Sequence, residues 1–318
     1  MNHPHSLRNS GTALDFALIQ NLRVNRAAVR RRVESLNASR SVKKEYQAAW
    51  LVKAVQCMDL TTLAGDDTPG RVARLCAKAR NPVRHDLLRA MGLPSLHTGA
   101  VCVYHDMIAP AVAALRGSNI PVAAVSTGFP AGLSSRETKL REIELSVQAG
   151  AQEIDIVITR KHVLTQDWGS LYGEMRDYRQ ACGDAHVKAI LATGDLQTLD
   201  NVAKASWVCM MAGADFIKTS TGKESVNATL DVSLVMVRAI RDYAGLTGIK
   251  VGYKPAGGIS AARGALQYLA LMKEELGNAW LTPTLFRFGA SSLLTDIERQ
   301  LEHYVTGNYS AAHRHAMP

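Results

Sequence analysis

From residue 54 onward, short apolar segments alternate with longer amphipathic segments, and this pattern repeats eight times. The short segments are nearly continuous runs of valine, isoleucine and alanine, which is typical of strands that are buried on both faces of a parallel sheet. The longer segments carry apolar residues three and four positions apart, which predicts helices. The predicted strands are residues 54–58, 100–104, 121–126, 153–158, 187–192, 215–219, 249–254 and 285–288.

Helix start and stop signals support this alternation. Thr68 followed by Pro69 is typical of a helix N-terminus, and Ser134 with Glu137 matches a capping box. Eight strand–helix units over roughly 250 residues predict an α/β fold, a (β/α)8 TIM barrel. An open doubly wound sheet is the competing architecture, but the sequence lacks the dinucleotide-binding fingerprint and nothing divides the chain into halves.

The first part of the chain differs from the rest. Residues 1 to about 20 are expected to be a poorly ordered lead-in, and a basic helical pattern follows until about residue 50. We therefore predict a basic helical N-terminal extension (1–50), a (β/α)8 barrel (51–310) and a C-terminal tail (311–318).

The composition is that of an ordinary globular protein, with 47% hydrophobic and 20% charged residues in 318. The sequence has no apolar run long enough to cross a membrane, and its first residues show no apolar h-region of the secretory kind, so no secretory leader is expected. The five cysteines show no metal-like or C-x-x-C spacing. A cytoplasmic location with reduced thiols is the default expectation. No metal and no cofactor are expected, and a homo-oligomer is compatible with the sequence.

The net charge of +9 comes mostly from one segment. Residues 21–46 hold eight basic side chains against two acidic ones. Such a stripe could contact nucleic acid or a membrane surface, but it contains a single aromatic residue, Tyr46, and no nucleic-acid motif. A solvated helix packed beside the barrel is favoured, so neither a membrane nor nucleic acid is an expected partner.

Two lysines end neighbouring predicted strands. Lys218 closes the sixth strand and Lys254 closes the seventh, and the chemistry of such barrels lies at these ends. Two ammonium groups held close together lower a pKa toward neutrality, which makes one amine nucleophilic and suits Schiff-base chemistry. Asp155, in an apolar fourth strand, needs a buried partner that the lysines can supply. The alternatives to a catalytic role are that Lys218 is an edge lysine or that these residues form a purely structural ion pair.

The loops after strands seven and eight carry small residues where barrels bind phosphate through backbone N–H groups. The loop after Lys218 is similar to a Walker A fragment but lacks its first glycine, so we expect Lys223 to add positive charge near a phosphate. The candidate substrate-binding residues are Asp59, Thr221, Gly222, Lys223, Gly257, Gly258, Gly289, Ser291 and Ser292.

Five segments together resemble deoxyribose-phosphate aldolases, especially the longer form with an N-terminal extension found in animals. The similarity covers about 45–310, and its most specific parts are Lys-Thr-Ser-Thr-Gly-Lys at 218–223 and Lys-Pro-Ala-Gly-Gly at 254–258. The other three segments are residues 58–63, 153–158 and 288–292.

The resemblance implies a metal-free class I aldolase of deoxyribose phosphate catabolism. Such an enzyme reversibly cleaves 2-deoxyribose 5-phosphate to acetaldehyde and glyceraldehyde 3-phosphate, so its partners are small phosphorylated sugars and acetaldehyde. By matching motifs, Lys218 would be the Schiff-base lysine, Lys254 the lysine that lowers its pKa, and Asp155 the carboxylate of a proton relay. His105, Asp195 and Ser260 depart from the family pattern, and the match of Tyr309 to a C-terminal tyrosine is loose.

Two other functions stay open at this point. A transaldolase-like carbon transferase would use the same lysine chemistry with a pocket for a longer ketose. A non-catalytic anion-binding protein would act through the basic extension, and Lys218 would then be dispensable.

Overall fold

The structure is a computed structural model that describes residues 8–315. Eight parallel strands form one sheet in which each strand pairs with its neighbour in sequence, and β8 also pairs with β1. Isolated bridges between residues 253 and 286 and between 256 and 289 close the ring between the seventh and eighth strands. The strands are β1 (Met58–Thr61), β2 (Ala100–Val103), β3 (Val122–Ser126), β4 (Glu153–Val157), β5 (His186–Ile190), β6 (Phe216–Lys218), β7 (Gly252–Lys254) and β8 (Phe288–Ala290). The predicted (β/α)8 barrel is confirmed.

Helices surround the sheet and bury their apolar faces against it. They are α1 (Phe16–Asn21), α2 (Arg26–Ser39), α3 (Lys44–Gln56), α4 (Pro69–Arg80), α5 (His85–Ala90), α6 (Ile108–Leu115), α7 (Arg136–Gln148), α8 (Arg160–Leu164), α9 (Trp168–Ala181), α10 (Leu199–Met211), α11 (Leu230–Thr247), α12 (Ala262–Leu276) and α13 (Leu293–Thr306). The predicted start signal at Thr68 acts as expected, whereas the cap of α7 is Ser135, one residue after the predicted Ser134. Thr68 caps α4 with proline in the first turn, and the Ser135 hydroxyl accepts from the backbone N–H of Thr138 at α7.

The first strand was predicted too early. Residues 54–56 belong to α3, and β1 begins only at Met58. Ala54 and Val55 are fully buried on α3, and a short apolar run of this kind cannot be assigned to a helix or a strand from its periodicity alone. The predicted boundary at residue 50 also falls inside α3, so no break in secondary structure marks it, and the division into domains stays a prediction.

The N-terminal extension is packed against the barrel. Val29, Val33 and Leu36 are the buried residues of α2, which lies against α11 and α12. Two carboxylates of α12 neutralise part of its basic charge: Arg32 pairs with Glu275 at 2.9 Å, and Arg40 with Glu274 at 2.8 Å. The extension is therefore partly neutralised and partly buried.

The expected poorly ordered lead-in is wrong for residues 8–20. Asn9 is buried, and its side-chain amide donates to the carbonyls of Met210 and Ala214, while its backbone N–H donates to Asp215. This segment is thus held against the end of α10 and the residues just before β6. Residues 1–7 of the lead-in and 316–318 of the predicted tail lie outside the described residues.

Among residues 8–315, no helix is long and apolar enough to cross a membrane.

Candidate active site

Strand register brings the two predicted lysines together. Lys218 of β6 is the direct neighbour of Lys254 of β7, and Asp155 of β4 is the direct neighbour of Lys188 of β5. Residues directly opposite each other in neighbouring strands point to the same face, which here is the interior of the barrel. The polar residues therefore converge because the strands carry them at matching positions.

One carboxylate oxygen holds both lysines. Asp155 Oδ2 lies 2.7 Å from Lys218 Nζ and 2.8 Å from Lys254 Nζ. Because both nitrogens contact the same oxygen atom, the two amino groups are close neighbours. The other oxygen, Oδ1, accepts from Lys188 at 2.9 Å. Asp155 and Lys254 are fully buried and Lys218 is 3% exposed. The predicted triad of Lys218, Lys254 and Asp155 is one contact cluster.

The three predicted catalytic groups have shifted pKa values. Burial is the main cause that lowers the pKa of the Lys218 amine, and the Lys254 charge adds to burial, against the opposing effect of Asp155. Burial also acts to lower the pKa of Lys254, but Asp155 and Asp59 outweigh it and the pKa is raised. For Asp155 the charges of Lys188, Lys218 and Lys254 overcome burial and hold the pKa well below its usual range. Lys218 is therefore the group that is driven toward its neutral, nucleophilic form.

A pocket of about 510 Å³ opens at the C-terminal ends of the strands above Lys218. No carboxylate lies among the lining residues, and the two lysines that line it make it suitable for an anion. The lining residues are Thr61, Thr62, Leu63, Ala64, Lys218, Thr221, Gly222, Lys223, Ala256, Gly257, Gly258, Ile259, Ser260, Gly289, Ala290, Ser291 and Ser292. Every residue that we predicted to bind substrate, except Asp59, lies in this wall.

Four small residues line the pocket beside the N-terminus of α13. Gly257 and Gly258 adopt positive φ angles of 80° and 78°, which L side chains rarely adopt. Ser291 and Ser292 precede α13, whose N-terminus faces the same space. Among residues 8–315, the amides of these four residues donate to no protein acceptor. A phosphate would find partners here, because helix N-termini and such turns bind anions.

The loop after Lys218 is held by its own carboxylate. The backbone N–H groups of Thr221 and Gly222 donate to Glu224 at 3.0–3.1 Å. Lys223 Nζ reaches across the pocket to the Leu63 carbonyl at 3.2 Å. Lys223 is thus positioned with its charge over the pocket, while the amides of Thr221 and Gly222 are occupied within the loop.

Asp59 does not face the pocket. It is fully buried, and its carboxylate pairs with Lys254 at 2.5 Å and with Arg287 at 2.5 Å. Its contact with substrate stays a prediction. In the structure the Asp59 carboxylate pairs with Lys254 and helps to raise the pKa of that amine.

Three other side chains lie away from the pocket wall. His105 bonds to Ser146 of α7 at 2.9 Å. Tyr309 is exposed and stacks on His303 with ring centroids 4.0 Å apart. Cys102 is buried, and burial raises the pKa of its thiol.

Sequence reasoning missed three buried charges beneath the lysines: Lys188, Glu153 and Arg287. Each carried the signal that identified Lys218, which is a charge inside or beside an apolar strand. Glu153 is two residues before Asp155 and so shares its face, and Lys188 follows Val187 in an otherwise apolar run. Arg287 stands between Phe286 and Phe288.

A second cavity, of about 810 Å³, lies between the N-terminal extension and α12, away from these lysines. Its charges are partly paired, Arg40 with Glu274, and Lys273 lies over the Trp50 ring. It holds none of the predicted site residues.

Comparison with known proteins gives a consistent result. The family model of the DeoC/LacD family aldolases matches residues 53–296. Deoxyribose-phosphate aldolase of Homo sapiens is 58% identical over 97% of this chain and 98% of its own length, and that of Mus musculus is 59% identical over 95% and 96%. The deoxyribose phosphate aldolase structure from Aeropyrum pernix, described as tetrameric, shares the fold with a TM-score of 0.62 and 18% identity, covering 87% of this chain and 99% of that one. The chain belongs to the DeoC/LacD family of aldolases.

Proposed function

We propose that the protein is a class I, Schiff-base aldolase that reversibly cleaves 2-deoxyribose 5-phosphate to acetaldehyde and glyceraldehyde 3-phosphate. The observation that carries the proposal is the buried Lys218 amine at the floor of an anion-compatible pocket, with its pKa lowered and Asp155 at 2.7 Å. The curated relatives that match almost the whole chain bear the name of this activity.

Substrate binding uses the two ends of the pocket. The phosphate would lie against the amides of Gly257, Gly258, Ser291 and Ser292, with Lys223 supplying a counter-charge. This places the opposite, aldehyde end of a five-carbon chain toward Lys218. Fixing the phosphate in this way orients the reacting carbonyl without any contact at the reacting carbons.

The covalent steps balance without any further reagent. The neutral Lys218 amine attacks the aldehyde carbon, and the carbinolamine loses water to give an iminium. The C3 hydroxyl then gives up its proton, the C2–C3 bond breaks with its electrons moving toward the iminium, and glyceraldehyde 3-phosphate leaves. The remaining enamine takes a proton at carbon, and water releases acetaldehyde and regenerates the amine.

Asp155 and Lys254 would move the protons. The low pKa of Asp155 makes the carboxylate its resting form, so a proton that it accepts is passed on rather than kept. Lys254, 2.8 Å from the same oxygen, is the next group in the relay and stays cationic at rest because its pKa is raised. The carboxylate also stabilises the iminium cation that replaces the Lys218 amine.

The cellular location is part of the proposal. All five cysteines are free and buried, which suits the reducing cytoplasm. A transaldolase-like activity is disfavoured because the curated relatives that match almost the whole chain are named for deoxyribose phosphate, a five-carbon aldose phosphate.

The test is product formation from defined sugars. We expect the protein to release both acetaldehyde and glyceraldehyde 3-phosphate from 2-deoxyribose 5-phosphate and to act poorly on longer ketose phosphates. Lys218→Arg should abolish cleavage, whereas Lys161→Arg, at an exposed lysine of α8, should keep it. Cleavage that survives Lys218→Arg, or transfer of a three-carbon unit from a ketose phosphate to an aldose acceptor, would contradict the proposal.

A further inference from the structure

Beneath the pocket, six buried charged side chains form a closed ring in which negative and positive groups alternate. None of the six lines the pocket. In order around the ring they are Asp155, Lys254, Asp59, Arg287, Glu153 and Lys188.

One half of the ring runs through Lys254 and Arg287. Lys254 Nζ lies 2.8 Å from Asp155 Oδ2 and 2.5 Å from Asp59 Oδ2. The Arg287 guanidinium then spans two carboxylates, with one nitrogen 2.5 Å from Asp59 Oδ1 and another 2.8 Å from Glu153 Oε1. Each of these contacts is a charge-assisted hydrogen bond.

Lys188 closes the ring. Its Nζ lies 2.5 Å from Glu153 Oε2 and 2.9 Å from Asp155 Oδ1. A longer contact of 3.5 Å to Asp59 crosses the centre. All six residues are between 0% and 5% exposed, so water contributes little to balancing their charges.

The ring balances itself, and Lys218 is left over. Three carboxylates meet three cations, so the ring carries no net charge. Lys218 joins it through a single atom, Asp155 Oδ2, which already serves Lys254. Burial of an ammonium group that has no carboxylate of its own is unfavourable, and the amine avoids this desolvation penalty by losing its proton.

We propose that Arg287 and Glu153 are positioning residues for the reaction. By closing the ring they keep its net charge at zero, and beside a neutral ring Lys218 is the cation that loses its proton. The inference rests on the proposed function, in which the Lys218 amine must be free to attack. Neither residue contacts the pocket, so neither is a catalytic residue, and both act through the charges of Asp59, Asp155, Lys188 and Lys254.

The directions of the pKa shifts agree with this reading. Burial opposes the charged form of each group, yet the neighbouring charges hold the pKa values of Asp59 and Asp155 below their usual range, and those of Lys188, Lys254 and Arg287 above theirs. Lys218 is the one cation of the cluster whose pKa is lowered. The other titratable neighbour, Cys102 of β2, has its pKa raised by burial and stays a neutral thiol. Lys223 lies above, in the pocket wall.

The test uses the acid limb of the pH dependence of kcat/KM for deoxyribose 5-phosphate cleavage, which reports the group that must be unprotonated. Arg287→Gln leaves the ring with one negative charge, so Lys218 should hold its proton longer and the limb should move by about one pH unit to alkaline pH. Glu153→Gln leaves one positive charge, and the limb should move by a similar amount to acid pH. A loss of packing alone would lower the rate at every pH without moving the limb.

Three further variants complete the design. Arg287→Lys keeps the charge and should leave the limb in place, and the double variant E153Q/R287Q is neutral again and should return it close to the wild-type position. Glu174→Gln removes a carboxylate that pairs with Lys139 at 3.2 Å outside the ring, and the limb should not move. If Arg287→Gln does not fold, Glu153→Gln decides, because its shift has the opposite sign.

The outcomes separate the two proposals. A wild-type protein that cleaves no deoxyribose 5-phosphate at any pH overturns the proposed function. A wild-type protein that cleaves it, with Arg287 and Glu153 variants whose limbs stay in place or move in the same direction, overturns only the ring inference.

Discussion

At the scale of the residue, the proposed mechanism depends on the protonation state of Lys218, because only the neutral amine can attack an aldehyde. From sequence, we attributed the low pKa of this amine to the positive charge of Lys254 alone. The structure brings the two lysines onto one oxygen of Asp155, but burial is the larger cause and the Lys254 charge comes second. The contribution of burial cannot be derived from strand ends, because it depends on how completely the barrel excludes water around the amine.

Removing Lys254 should therefore affect activity in a pH-dependent way. Lys254→Leu removes a cation that lowers the pKa of Lys218, so more of the amine is protonated and kcat/KM at pH 7 should fall by an order of magnitude more than at pH 9. Kinetic measurement across that range checks this.

Lys223→Leu provides the matched control. It removes a lysine from the pocket wall, away from Asp155, and should raise KM for the phosphorylated sugar by a similar factor at both pH values. An equal loss at pH 7 and pH 9 in the Lys254 variant would count against its effect on Lys218.

At the scale of the element, strand ends were easier to predict than strand interiors. Lys218 and Lys254 end β6 and β7 as expected, because a lysine after an apolar run followed by small residues is a local signal. The first strand was misplaced, since residues 54–56 are as apolar on a buried helix as in a strand. The sequence analysis did not single out Lys188, which lies inside β5. Its partners Glu153 and Asp155 come from β4, and only the register of the two strands identifies them as partners.

The N-terminal extension should contribute to stability but not to the reaction. Leu36 is a buried residue of α2, and Leu36→Ala should destabilise the protein by roughly 2–3 kcal/mol while leaving kcat unchanged. Urea unfolding and limited proteolysis of residues 8–56 would measure this. Ser35→Ala, at an exposed position on the same helix, is the control and should behave as wild type. A fall in kcat with intact stability would instead link the extension to the site.

At the scale of the whole molecule, the group that is proposed to react lowers the stability of the fold. Lys218 binds its proton less tightly in the folded protein than in the unfolded chain, so protonated Lys218 destabilises the fold. This cost is fully present below the folded pKa and disappears as the pH rises past the ordinary value of 10.5. The ring of six charges below Lys218 already has a net charge of zero, so a positive charge on Lys218 is not needed to balance it.

Lys218→Met should accordingly be more stable than wild type at pH 7, and the gain should shrink as the pH approaches 10.5. Urea unfolding at pH 7 and pH 10 compares the free energies. Lys161→Met changes an exposed lysine and should stay within about 0.5 kcal/mol of wild type at both. A Lys218→Met protein that is less stable at pH 7 would show that the ring depends on Lys218 for its balance.

The central claim, that Lys218 forms a covalent bond with the aldehyde, is tested most directly by chemical trapping. The protein is incubated with acetaldehyde and borohydride, digested, and mapped by mass spectrometry. We expect a two-carbon adduct on Lys218 that is absent from Lys218→Arg and from the reaction without acetaldehyde. An unmodified Lys218 under conditions in which the enzyme turns over, or an adduct on another lysine that survives Lys218→Arg, would contradict the account.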